Sequence, residues 1–200
     1  MRDRRPKPMK RRVGYLPERR RTLLLVQGQT EVGYFQGLGY NTALLKAGNA
    51  LQTVREARLF VVSRHLEDAQ IWVVVDVDDT PLEQWNAAWR MAKDLGFGFL
   101  FASEAFELWW ILHFERILGP LSRSKYERLL QKHLPHYREK EKGFLQGLRM
   151  ARDLKPKLPV ALANAPLTLP KEGNLSAVWG RSATNMYELL DGIASQNGLK

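Results

Sequence analysis

IWVVVDVDD, residues 71–79, passes from five branched or aromatic side chains into three carboxylates within four positions. A short apolar run without polar alternation fits a strand covered on both faces, and such strands belong to parallel sheets packed between helices. The next segment is the clearest helix in the chain: Trp85, Ala88, Trp89, Ala92 and Leu95 fall on one stripe, and Gly96 ends it. Working outward, TLLLVQ at 22–27, bounded by Gly28, reads as an earlier buried strand, and FGFLFA at 97–102 as a later one. Residues 30–46 read as a helix broken near its middle by Gly33, Gly37 and Gly39. Gln52–Leu66 is a better helix, from the spacing of Val54, Ala57, Val61, Val62 and Leu66, and 104–115, EAFELWWILHFE, is a buried one. The alternation predicts an α/β fold: a Rossmann-like parallel sheet of about four strands flanked by helices, with a helical C-terminal part. On this reading residues 22–200 form a single domain, with 22–116 as the α/β core and 117–200 as a helical extension. The extension comprises helices at about 124–133 and 140–153, a Pro-rich connection, KPKLPVALANAPLTLPKEGN, and a final helix near 183–195. Ligands in such sheets bind outside the carboxyl ends of the strands, so the turns at 27–31, 76–80 and 102–104 are the places to look for function.

Charge is unevenly spread. Residues 1–21 hold ten Lys/Arg, including Arg11, Arg12, Arg19, Arg20 and Arg21, against Asp3 and Glu18, and so carry eight of the ten net positive charges. Such an arm, with prolines and no hydrophobic period, reads as a flexible tail, either one that aids solubility or one that attracts a polyanion through counterion release. The chain has no cysteine, which excludes disulfides, thiolate metal sites and cysteine nucleophiles and accords with the reducing cytoplasm where the protein is expected. Its longest apolar runs, such as LWWIL at 108–112, fall short of the roughly 18 residues of a membrane span, so no membrane contact is expected. No Gly-x-x-x-x-Gly-Lys loop is present, and ATP hydrolysis is not expected of this chain itself.

Helix initiation explains part of the acidic turn. Thr80 is suited to cap the next helix, Pro81 to its first position and Glu83 to a capping box, while Asp79 can serve as an anion beside the helix start. Asp76 and Asp78 are not needed for any of this. Two apart on an extended segment, they point the same way, and like charges on one face are costly unless a cation joins them. Mg²⁺ held by one or two carboxylates plus substrate phosphates is a common solution, and a water-exposed turn is the alternative. Metal-assisted phosphodiester chemistry usually takes a general acid or base from a neighbouring turn, which directs attention to the turn after the first strand.

Other polar residues divide between functional and structural readings. Ser103 reads as a helix cap. Glu107 and His113 stand in an apolar helix, six positions apart and therefore not a direct pair, each either a site residue or a satisfied core polar group. HLPH at 133–136 has metal-compatible spacing but reads better as a surface turn, and Trp85 and Trp89 as core rather than base-stacking platforms.

The turn LLLVQGQTEVGYF at 23–35 together with VVVDVDD at 73–79 resembles the TOPRIM fold, the metal-binding α/β domain of topoisomerases, primases and a class of nucleases. More specifically, QGQTEVGYF, VVVDVDD, SEAFELWWILHFE at 103–115 and SATNMYELL at 182–190 resemble the RloB family of bacterial defence-associated proteins. The resemblance implies that Asp76 and Asp78 ligate Mg²⁺ or Mn²⁺, that Asp79 helps, and that Glu31 with Gly28 belongs to the catalytic turn. Gln27 stands where the family pattern has its first glutamate, and an amide can hydrogen-bond a phosphate or a water but cannot accept a proton. The implied activity is a nuclease acting on RNA or DNA, an effector of phage defence through abortive infection, with an ATPase encoded nearby as a possible partner. The other reading is a degenerate module that binds nucleic acid or a partner without turnover.

Overall fold

A computed structural model describes residues 22–46, 48–77, 80–138, 141, 143–169, 178 and 181–190. Strands β1 (Thr22–Val26), β2 (Asn41–Leu44), β3 (Gln70–Asp76) and β4 (Gly98–Ala102) pair in parallel in the order β2-β1-β3-β4. Around them lie α1 (Gln29–Gly37), α2 (Ala50–Ser63), α3 (Leu82–Asp94), α4 (Glu107–Ile111), α5 (Arg123–His133), α6 (Phe144–Leu154) and α7 (Leu158–Asn164). The arrangement is the expected α/β, Rossmann-like one. Leu24, Val26, Val74, Leu100 and Ala102 face one core, while Leu25, Val73, Val75, Phe99 and Phe101 face the other. Because both faces are apolar, the side-chain alternation of β1, β3 and β4 disappears from the sequence and leaves largely unbroken apolar runs. Helices α2 and α3 cover the second face; α1 covers the first together with α4 to α7, so the C-terminal helices share a core with the sheet.

Several boundaries differ from the sequence reading, each for a local reason. The expected broken helix over 30–46 is α1 followed by the edge strand β2, whose four residues NTAL are all exposed or half-buried and therefore carry no apolar signal. Helix α2 begins at Ala50, two residues earlier than expected, because Asn49 and Gln52 form a reciprocal capping box. Thr80 does not cap α3: Pro81 is extended, the helix starts at Leu82, and the Thr80 hydroxyl lies 3.3 Å from the N–H of Ala50 at the start of α2. The end of α3 is as read, with Gly96 at φ 69° and N–H groups of Gly96 and Phe97 returning to Lys93 and Ala92. The buried helix of 104–115 is the shorter α4, with Phe106 at its cap position, so Ser103 is not its cap. The later helix begins at Phe144, after Gly143 at φ 151°, a conformation open almost only to glycine. The Pro-rich connection is largely helical, because Pro156, Pro159 and Pro166 sit in first turns where no N–H is required.

The segment 182–185, expected to open the last helix, instead seals the outer edge of β4. Asn185 Oδ1 accepts the N–H of Phe101 at 2.9 Å, its Nδ2 donates to the carbonyl of Phe99 at 2.8 Å, and Thr184 Oγ1 donates to the carbonyl of Phe101 at 2.6 Å. An exposed edge is thereby paired by side chains, and within 183–190, the described part of the expected final helix, helix appears only over 187–190. The basic arm, Asp78 and Asp79 lie outside the described residues.

Candidate functional site

Strand order reverses between β1 and β3, since the chain leaves β1 for β2 on one side and crosses back to β3 on the other. Ligands collect at such a switch point because the loops leaving the two strands diverge and open a crevice. Here the crevice is a cavity of about 290 Å³ lined by Glu31, Asp76, Glu107 and Arg123. Gly28, Thr30 and Gly143 form its backbone rim, and Phe106 and Trp110 supply apolar surface. Three acids and an arginine from four different elements therefore meet on one crevice.

Each is placed by a feature of the local sequence. Asp76 is the last residue of β3, half-buried and paired with Ala102 of β4 in the ladder. Glu31 lies in the first turn of α1 and folds back over Gly28: a Cβ on residue 28 would meet the Glu31 carboxylate, with Cδ at 2.7 Å. Glycine at 28 is thus what lets this acid lie against the helix start. Glu107 is buried at the head of α4, with the Tyr137 hydroxyl 3.4 Å from its Oε1. The two helices are locked together by the buried Trp109 Nε1, which donates to the Tyr34 hydroxyl at 2.8 Å, and burial pushes the Tyr34 hydroxyl pKa up.

The remaining sequence candidates are placed elsewhere. Gln27 does not line the cavity; its Nε2 donates to the carbonyl of Gly48 at 2.6 Å, bracing the loop between β2 and α2. Ser103 is buried, its N–H donating to the carbonyl of Ala183 and its own carbonyl accepting the Tyr126 hydroxyl. His133 Nε2 lies 3.0 Å from the Glu115 carboxylate and His136 Nε2 3.4 Å from that of Asp153, so HLPH is divided between two carboxylate partners. Trp85 is fully buried against Phe99 and Phe101. Arg123 and Gly143 were not anticipated: both come from the helical extension, and no pattern in the sequence ties them to the strand ends.

His113 is also off the cavity. Its Nδ1 lies 2.9 Å from the carbonyl of Trp109, an acceptor only, so Nδ1 carries the proton; Nε2 is buried and has no hydrogen-bond partner among the described residues. Burial lowers its pKa from about 6.5 to about 4. The unfolded chain therefore binds a proton over this interval that the folded chain refuses, and stability is retained above about pH 6.5 and falls as pH drops toward 4. The loss amounts to about 3 kcal/mol at most. His113→Asn, whose Nδ2 can replace Nδ1 toward Trp109, is expected to flatten that slope in urea unfolding measured from pH 7 to pH 4.

Among the described residues no three His, Cys, Asp or Glu side chains are grouped as a protein-only metal cage. The donor set does suit Mg²⁺, which takes one or two carboxylates and fills its octahedron with water and phosphate oxygens. Among the described residues no helix is long and apolar enough to cross a membrane. The family model described as RloB-like protein matches residues 22–193, nearly everything after the basic arm. No curated protein and no solved structure gives a match.

Proposed function

This chain belongs to the RloB-like family, and we propose that it is a metal-dependent nuclease of TOPRIM type, cleaving phosphodiester bonds of RNA or DNA as an effector of phage defence. The observation that carries this reading is the convergence of Glu31, Asp76 and Glu107 on one crevice at the switch point of a parallel sheet. Asp76 would hold Mg²⁺ or Mn²⁺, with Asp78 as the second ligand and Asp79 as helper, the roles that the family resemblance implies. The ion would supply positive charge to the phosphate and make a bound water more acidic. Glu31, lying over Gly28 at the cavity wall, is the carboxylate that takes the proton from the attacking water. Gln27 cannot do so: its amide accepts no proton, and its Nε2 is bonded to Gly48. The basic arm would hold the remaining polymer, and an ATPase partner would supply the trigger.

The test is incubation with labelled RNA and DNA in Mg²⁺ or Mn²⁺, with and without a chelator. Cleavage is expected, lost on chelation, and reduced on the order of 10²–10⁴-fold in Glu31→Gln. If the wild type cleaves neither polymer and Gln27→Glu gains cleavage, the protein is instead a binding module with a degenerate site.

A further inference from the structure

We infer that Arg123 is a substrate-contact residue that grips the phosphate of the phosphodiester in the cavity it shares with Glu31, Asp76 and Glu107. The inference deepens the nuclease reading and rests on it. Among the described residues lining the cavity, Arg123 is the cation, and it shares the cavity with Glu31, Asp76 and Glu107. A phosphodiester bound in this cavity would turn one oxygen toward the acids and their metal and another toward the guanidinium, whose planar fork matches two phosphate oxygens.

The position of Arg123 is unfavourable on helix grounds alone. The positive pole of a helix lies at its first turn, where acids are stabilising and bases are not. Helix α5 nevertheless begins with Arg123 and carries Lys125, with no acid in its first turn. The Glu104 carboxylate, which accepts the Arg123 N–H, supplies the anion that this helix start lacks in its own sequence. The first turn is also held rigidly against the strand ends. Glu104 Oε2, in the turn after β4, accepts the Arg123 N–H at 2.9 Å, and the Tyr126 hydroxyl, three residues on, donates to the carbonyl of Ser103 at 2.9 Å. The arginine is thus delivered by the C-terminal helices to a site that the α/β core builds.

Arg123→Gln and Arg123→Lys in the full chain test this on the shortest RNA or DNA oligonucleotide that the wild type cleaves, since few phosphates limit the contribution of the basic arm. In Arg123→Gln, kcat/KM is expected to fall roughly 10- to 100-fold and its salt dependence to become shallower, with the melting temperature little changed. Arg123→Lys keeps the charge but loses the fork, so it should restore the salt dependence and only part of kcat/KM. A structural role alone would move neither salt dependence nor lysine rescue. Wild-type kcat/KM and salt dependence in both variants would overturn the assignment while leaving the nuclease reading standing. A wild type that cleaves no nucleic acid of any length would overturn both.

Discussion

Asp76→Asn is expected to reduce metal-dependent cleavage by at least about 10²-fold, because even groups that only support a metal ligand are worth roughly 10- to 100-fold. The substitution preserves shape. Asp76 ends β3, and its ladder position opposite Ala102 depends on the backbone, so the strand is unaffected. What disappears is a negative charge at the mouth of the switch-point crevice. A readout independent of turnover is available: Mg²⁺ that binds only the folded state raises the wild-type melting temperature with concentration, and Asp76→Asn should respond far less. An equal response in the two proteins would remove Asp76 from the metal site, whatever happens to cleavage.

The largest expected effect on stability is at Gly147. A methyl group there would strike the carbonyl of Thr30, come within 2.6 Å of the Tyr34 nitrogen, and lie 3.0 Å from the Gly33 carbonyl carbon. All three are backbone atoms of α1, which cannot rotate aside. Alanine is worth up to about 1 kcal/mol over glycine in a free helix, but overpacking a fixed contact costs about 1–3 kcal/mol or more, so Gly147→Ala should be net destabilising in urea unfolding. Relief by moving α1 would carry Gly28 and Glu31 away from Asp76, so cleavage should fall along with stability. Gly119→Ala is the control, because nothing lies within 4 Å of a Cβ there.

These glycines mark where sequence reading reaches its limit. Gly33 and Gly37 weaken α1 as a helix taken alone, yet Gly33 faces the backbone of Phe144, and a Cβ on Gly37 would lie 2.6 Å from that of Ala151. Close approach between α1 and α6 is their role, and their partners are more than a hundred residues away. The strands β1, β3 and β4 were legible because burial on both faces writes itself as an apolar run, whereas β2, half-exposed at the edge, left no such trace. Asp76 was legible as a candidate because switch-point chemistry sits at strand ends, and Glu31 because the family resemblance pointed to its turn. Glu107 was undecided, since a buried acid in an apolar helix looks alike whether it borders a cavity or a core. The direction of Gln27 and the arrival of Arg123 depend on contacts across 21 and 19 residues, which no periodicity records.

The seal on β4 also gives the chain an order of assembly. Asn185 meets its partners on β4 across 84 and 86 residues of sequence. During synthesis the four strands are complete long before that asparagine emerges, so the nascent sheet passes through a period with an open edge, able to pair with a strand of another chain. Contacts this distant in sequence carry a high entropic cost of closure. A product released before residue 185 would hold every acid of the crevice yet expose a sticky strand, so quality control can discard it by aggregation or proteolysis.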